Sequence, residues 1–153
     1  MFLLQAIKEL NEFMKAVVVD DARIIRQHIV DSLRELSSLD EIAQAVDGLD
    51  ALRVIRELQP DLVVLDIHMP SADGKRVDNG MEVLKAVKAE PNPPAVIMLS
   101  NFADPQYRER CKKLGADAFL DKSHEFFHLL PIAEALLNER RARQDKLIQN
   151  NPC

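Results

Sequence analysis

The chain has 153 residues, 47% of them hydrophobic and 29% charged, a balance that builds one globular core and excludes wholesale disorder. Its 20 basic and 25 acidic residues leave a net charge of −5, which speaks against nucleic acid or an anionic membrane as a direct partner. Two cysteines, Cys111 and Cys153, supply no disulfide framework and fit a reducing cytoplasm.

The opening residues MFLLQAIKELNEF have no basic stretch and carry Lys8, Glu9 and Glu12 among the apolar positions. They are neither a signal peptide nor a membrane span, which needs about 20 apolar residues. Leu3, Ile7 and Leu10 fall at helical spacing, so residues 1–14 are expected as an amphipathic leader helix. Strands follow at Lys15–Asp20 (KAVVVD), Glu41–Val46, Asp61–Asp66 (DLVVLD), Ala95–Ser100 (AVIMLS) and Ala116–Leu120. Helical spacing runs through Ala22–Leu36, Leu49–Leu58, Met81–Ala89 and Asp104–Leu114, and a last helix is expected from near Pro131 to about Leu147. Gly48, Pro60, the EPNPP run at 90–94 and Gly115 break the pattern at the joins.

Strict alternation of strand and helix implies right-handed crossovers and a parallel sheet with helices on both faces. Five strands predict an α/β, doubly wound sheet in the order 2-1-3-4-5. The expected domain is 15–137, with 138–153 as a helical extension and tail too short for a separate output domain.

In such a sheet, chemistry belongs at the carboxyl ends of the strands. Those ends carry Asp20 and Asp21, then Asp66, then Ser100, and lead to Lys122. Singly, each has an ordinary explanation as a helix cap, a turn residue or a solvated charge. Jointly, three carboxylates would raise one another's pKa unless a cation compensated them. Oxygen-only ligands suit Mg²⁺, which binds phosphate oxygens. Two acids on a metal leave a third to attack phosphorus, while an amine and a hydroxyl hold the remaining phosphoryl oxygens.

The segments VVVDD (17–21), DLVVLDIHMP (61–70), VIMLS (96–100) and KLGADAFLDKS (113–123) together resemble the receiver domain of two-component response regulators, over roughly Lys15 to Leu137. The resemblance implies a CheY-like switch rather than a turnover enzyme, with Asp66 as phosphoacceptor. It further implies Mg²⁺ bound directly by Asp21 and Asp66, by the backbone carbonyl of His68, and by Asp20 largely through water. Ser100 would be the switch hydroxyl, Phe119 the switch aromatic and Lys122 the phosphate-binding lysine. A sensor histidine kinase or phosphotransfer protein would supply the phosphoryl group, and a downstream protein target would read it. Self-association through the leader or tail, as a homodimer, stays open.

The sequence departs from the family pattern in several places. Ser123 stands where proline is usual, Asn101 replaces a small residue, and Ser71–Asn79 lengthens the loop after the third strand. Gly80 aligns with the family's loop glycine, with Gly74 as the rival. His68 and the bulky Phe102 occupy the positions that influence phosphoryl lifetime in the family, and slow hydrolysis is expected.

Two rival functions are weighed against this one. A receiver-like interaction module that never needs phosphate would have no use for the full set of acids, hydroxyl and lysine. The HEFFH at 124–128 has zinc-hydrolase spacing, but Pro131 disfavours a regular helix through both histidines, so Phe126 and Phe127 are expected to plug the core end instead. Arg140, Arg141, Arg143 and Lys146, beside Glu139 and Asp145, read as a solvated helix face rather than a nucleic-acid patch.

Overall fold

Runs of valine, isoleucine and leucine form parallel strands here because both of their faces find cover. In the computed structural model, which describes residues 1–6, 13–70, 76–77, 79–101 and 104–151, three such runs and two edge strands of mixed composition share one sheet. They are β1 (Met14–Val19), β2 (Leu39–Ala45), β3 (Leu62–Asp66), β4 (Ala95–Ser100) and β5 (Ala118–Asp121). The order is β2-β1-β3-β4-β5 with every pair parallel, the expected 2-1-3-4-5 arrangement. Helices α1 (Arg23–Leu33), α2 (Gly48–Leu58), α3 (Asn79–Lys88), α4 (Pro105–Lys113) and α5 (Leu129–Asn150) complete the alternation.

Side chains alternate across the pleat, so each strand feeds two cores. Val17, Val19, Val63, Leu65, Val96 and Met98 meet Ala51 and Ile55 of α2, Leu84 and Val87 of α3, and Cys111 of α4. Ala16, Val18, Leu62, Val64, Ile97 and Leu99 meet Ile29, Val30 and Leu33 of α1, and Leu129, Ala133 and Leu137 of α5. The central strands β1 and β3 are thus covered on both sides, and their carboxyl ends lie next to each other.

Gly80 fixes how α3 leaves β3. A Cβ there would sit 2.2 Å from the carbonyl oxygen of Asp66 and 2.6 Å from Cα of Ile67. Its N–H donates to the Ile67 carbonyl at 3.0 Å, closing the loop that separates them in sequence. That loop contains a short antiparallel ribbon, Met69–Pro70 against Arg76–Val77, which the sequence pattern did not signal. Residues 71–75 and 78, including Gly74, lie outside the described residues. Of the expected leader, residues 2–6 are helical, and residues 7–12 fall outside the description.

Two expectations about the last helix are corrected. It begins at Leu129, so Pro131 is its third residue; the missing N–H costs nothing where first-turn amides have no intrahelical acceptor. Arg140 does not belong to a solvated face: it is 8% exposed. Its Nε donates to Asp61 Oδ1 at 2.9 Å and its Nη1 to the Pro93 carbonyl at 2.8 Å, while Asp61 Oδ2 accepts the Lys15 N–H at 3.0 Å. Arg140 therefore staples the helix to the starts of β1, β3 and β4. The helix is continuous through residues 137 and 138 and runs to Asn150.

Gly80→Ala is expected to cost about 3 kcal/mol despite alanine's better helix propensity, because the added methyl meets backbone rather than a side chain that can move. Urea unfolding checks this; a loss below about 0.5 kcal/mol would contradict the close approach. Arg140→Met should cost roughly 2 kcal/mol, since it leaves the Asp61 carboxylate enclosed without its cation, and Asp61→Asn in that background should recover part of the loss.

Candidate functional site

The carboxyl edge of the sheet gathers every charged side chain singled out by the strand-end reading. Asp20 follows β1 and is fully buried; its Oδ1 accepts the Ala22 N–H at 2.8 Å, which makes the turn into α1. Arg26 braces the same corner by donating to the Asp20 carbonyl at 2.7 Å. Asp66 ends β3 beside it at 4% exposure, and Asp21 is half-buried. Carboxylate oxygens of Asp20, Asp21 and Asp66 lie within 4.8 Å of one another, the convergent group of potential metal ligands among the described residues.

Lys122 supplies the compensating charge. It follows β5, where its N–H donates to the Ser100 carbonyl at 2.9 Å and aims the side chain inward. The ammonium lies 2.5 Å from Asp20 Oδ2 and 3.2 Å from Asp66 Oδ2, with the side chain only 6% exposed. Among the described residues, Lys122 is the cation that contacts both buried acids, Asp20 and Asp66. Burial pushes the Asp66 carboxyl up to about 6, with Lys122 opposing the shift and Asp20 adding to it.

The remaining expected residues also assemble here. Ser100 ends β4, fully buried, in register with Asp121, so Ser100 and Phe119 share the sheet face that α3 and α4 cover. Phe119 is 8% exposed beneath the Arg108 guanidinium, 4.8 Å from the ring centroid. The His68 N–H donates to Asp66 Oδ1 at 3.3 Å, while its imidazole turns edge-on to Tyr107 of α4 at 5.1 Å. Asn101 is exposed, and Phe102 lies outside the described residues.

The loop after Lys122 shows what the sequence reading missed. The Lys122–Ser123 peptide is trans. Ser123 donates its N–H to Asp121 Oδ1 at 2.8 Å, and Glu125 Oε2 accepts the Asp121 N–H at 2.8 Å and the Arg108 Nη2 at 2.8 Å. These hydrogen bonds hold both carboxyls below the usual range: Asp121 chiefly through the Ser123 N–H, Glu125 chiefly through the Asp121 N–H with Arg108 adding. No spacing rule links residues 108 and 125, so nothing in the sequence announces the pair.

HEFFH is part of the same loop. His124 sits in a turn with its side chain 82% exposed and Nδ1 3.1 Å from Asp121, whereas Phe126–His128 form a 3₁₀ turn before α5 begins. The two histidines therefore do not share a face of a regular helix. Phe126 packs against the core and stacks on His28 at 4.9 Å. Phe127 does not plug the core: it is 72% exposed, because the 3₁₀ turn carries it to the other side. A cavity of about 450 Å³ lined by Leu52, Ile55, Val87, Pro94, Asp61 and Arg140 lies at the opposite end of the sheet, remote from the acids.

Known proteins resemble this chain in sequence and fold. Residues 16–134 match the family model of the response regulator receiver domain. A protein-glutamate methylesterase/protein-glutamine glutaminase of Clostridium acetobutylicum is 32% identical over 144 residues, covering 93% of this chain and 40% of that protein. The transcriptional regulatory protein YhcZ of Bacillus subtilis, described as uncharacterized, is 31% identical over 112 residues, 73% of this chain and 50% of its own. The chain thus spans half or less of the length of these relatives. Among solved structures, the receiver domain of the putative response regulator NarL from Mycobacterium tuberculosis superposes with a TM-score of 0.70 at 27% identity, covering 83% of this chain and 98% of its own. The response regulator domain of Thermotoga maritima CheB gives 0.65 at 28% identity, over 85% and 95%. With the fold, the acidic edge and the family match in agreement, the chain belongs to the response regulator receiver domains of two-component signalling.

Proposed function

We propose that this receiver accepts a phosphoryl group on Asp66 from a phosphohistidine of a sensor histidine kinase or phosphotransfer protein, and that the modified state alters its contacts with a protein partner. The observation that carries the reading is the Lys122 ammonium set between the buried Asp20 and Asp66, in a cluster of three acids completed by the half-buried Asp21. Burying carboxylates together costs stability even beside a cation, so a module that never met phosphate or metal would gain from losing them.

At neutral pH most Asp66 is ionised and can act as nucleophile. A bond forms from its carboxylate oxygen to phosphorus while the bond from phosphorus to the histidine nitrogen breaks, and the imidazole leaves with the electron pair. The donor set fits a hard divalent cation: carboxylate oxygens of Asp20, Asp21 and Asp66, joined by the His68 carbonyl, would hold Mg²⁺. When bound, that ion supplies positive charge to the phosphoryl oxygens. Lys122 would release one carboxylate and take a phosphoryl oxygen in its place, and the Ser100 hydroxyl would donate to another. Because Ser100 shares its sheet face with Phe119, and Phe119 packs under α4, a change at the hydroxyl reaches the surface there. The methylesterase and transcriptional roles named for the relatives belong to longer proteins, of which the match covers half or less, and are not carried over. Among the described residues no helix is long and apolar enough to cross a membrane.

Incubation with Mg²⁺ and acetyl phosphate should label Asp66 alone. Asp66→Asn should abolish labelling, and Lys122→Ala should slow it by at least about 100-fold. Peptide mapping decides; retained labelling in Asp66→Asn would overturn the assignment.

A second measurement tests the raised pKa of Asp66. Because the folded-state pKa of Asp66 is raised from 3.8 to about 6, the folded state holds the proton more tightly, and stability is lost as pH rises through that window. A shift of this size corresponds to roughly 3 kcal/mol at pH 7 at most. In EDTA, Asp66→Asn should therefore be more stable than wild type by about 2 kcal/mol at pH 7, with the advantage gone near pH 4. A difference independent of pH would contradict the raised pKa.

A further inference from the structure

Helix α4 (PQYRERCKK) is held to the sheet by little apolar packing: of its nine residues only Cys111 is buried and Tyr107 half-buried. Arg108 holds it by other means. Its Nη1 donates to the Phe119 carbonyl at 3.0 Å, its Nη2 to Glu125 Oε2 at 2.8 Å, and the guanidinium lies over the Phe119 ring at 4.8 Å. Glu125 in turn grips Asp121 twice, accepting its N–H at 2.8 Å and donating its own N–H to the Asp121 carbonyl at 2.8 Å. Asp121 immediately precedes Lys122, whose ammonium reaches Asp20 and Asp66.

We infer that Arg108 is a positioning residue that couples α4 to the loop carrying Lys122. A run of direct contacts joins the surface helix to the acids: α4, Arg108, Glu125, Asp121, Lys122, Asp66. Movement of α4 away from the sheet breaks the guanidinium's bonds and loosens the Glu125 grip behind Lys122; a shift of Lys122 strains the same bonds from the other end. Such a link is reciprocal. The guanidinium makes these contacts from two different nitrogens with its carbon over the ring, a combination that a lysine ammonium, a single point at the end of a different stem, does not reproduce. The pair is 46% and 34% exposed, so it adds little to global stability and its value lies in coupling. The use of this link in signalling rests on the proposed phosphorylation of Asp66; the link itself does not.

The experiment is amide hydrogen exchange by NMR on the full chain, first without metal, comparing wild type with Arg108→Leu, Arg108→Lys, Glu125→Gln and the Arg108→Leu/Glu125→Gln pair. Arg108→Leu and Glu125→Gln should each speed exchange about tenfold both at Asp121 and along α4, with β3 amides unchanged, and the pair should go no further than either alone. Arg108→Lys should leave Asp121 exchange raised. Acceleration confined to α4, none at either place, or additive effects in the pair would overturn the coupling. The second arm adds Mg²⁺ and beryllofluoride: the wild type should show altered α4 exchange, and Arg108→Leu should bind the mimic yet lose most of that response. An undiminished response in Arg108→Leu overturns the signalling role. Failure of the wild type to bind beryllofluoride would contradict the phosphoacceptor reading instead, and the metal-free data would still decide on Arg108.

Discussion

The structure is organised around a gathering of charge: three carboxylates converge at one sheet edge, and the two buried ones, Asp20 and Asp66, share the buried Lys122 ammonium. Coulomb repulsion in a partly desolvated site is costly, and only a rigid frame keeps such groups together. The frame is the pairing of β1 with β3, which sets Asp20 beside Asp66 because both strands are buried on both faces and cannot slip without exposing a core. Lys122 arrives from β5, two strands away, and its reach spans the gap that Ser100 lines. Because these groups are desolvated, their mutual interactions are stronger than those of the same charges on the surface.

The two ends of the sheet handle buried charge differently. At the amino-terminal edge, Asp61 and Arg140 form one matched pair, further satisfied by the Lys15 N–H and the Pro93 carbonyl, and nothing is left over. At the carboxyl edge two buried acids, Asp20 and Asp66, share one buried ammonium, with Asp21 half-buried beside them. One pairing locks the long helix in place and the other gathers three potential metal ligands, so the same residue types serve opposite ends of the molecule in different ways.

Much of this was legible in the sequence, and what was not has physical reasons. The five strands stood out because residues such as Val63–Leu65 and Val96–Leu99 must be apolar on both faces, and the carboxyl-end rule then picked out Asp20, Asp66 and Ser100 without any contact being known. Arg140 was misread because its neighbours Glu139, Arg141 and Arg143 are polar; its partner Asp61 is far away in sequence, and no periodicity encodes an ion pair. Arg108 and Glu125 escaped notice for the same reason. The start of α5 was displaced because proline marks a first turn without saying which residue of that turn it occupies. Phe127 was assigned to the core on hydrophobicity alone, although a 3₁₀ turn rotates successive side chains differently from an α-helix.

The neck of the loop between β3 and α3 has a corollary for its length. The Gly80 N–H bonded to the Ile67 carbonyl, with the Met69–Val77 pairing just beyond, closes that loop at its base. Residues inserted beyond the neck lengthen a closed loop, and the entropic charge for doing so grows only with the logarithm of its size. Asp66 lies on the sheet side of the neck and keeps its place whatever the loop contains. A change of length beyond the neck therefore carries a small conformational cost and leaves the register of Asp66 with its neighbours to the sheet.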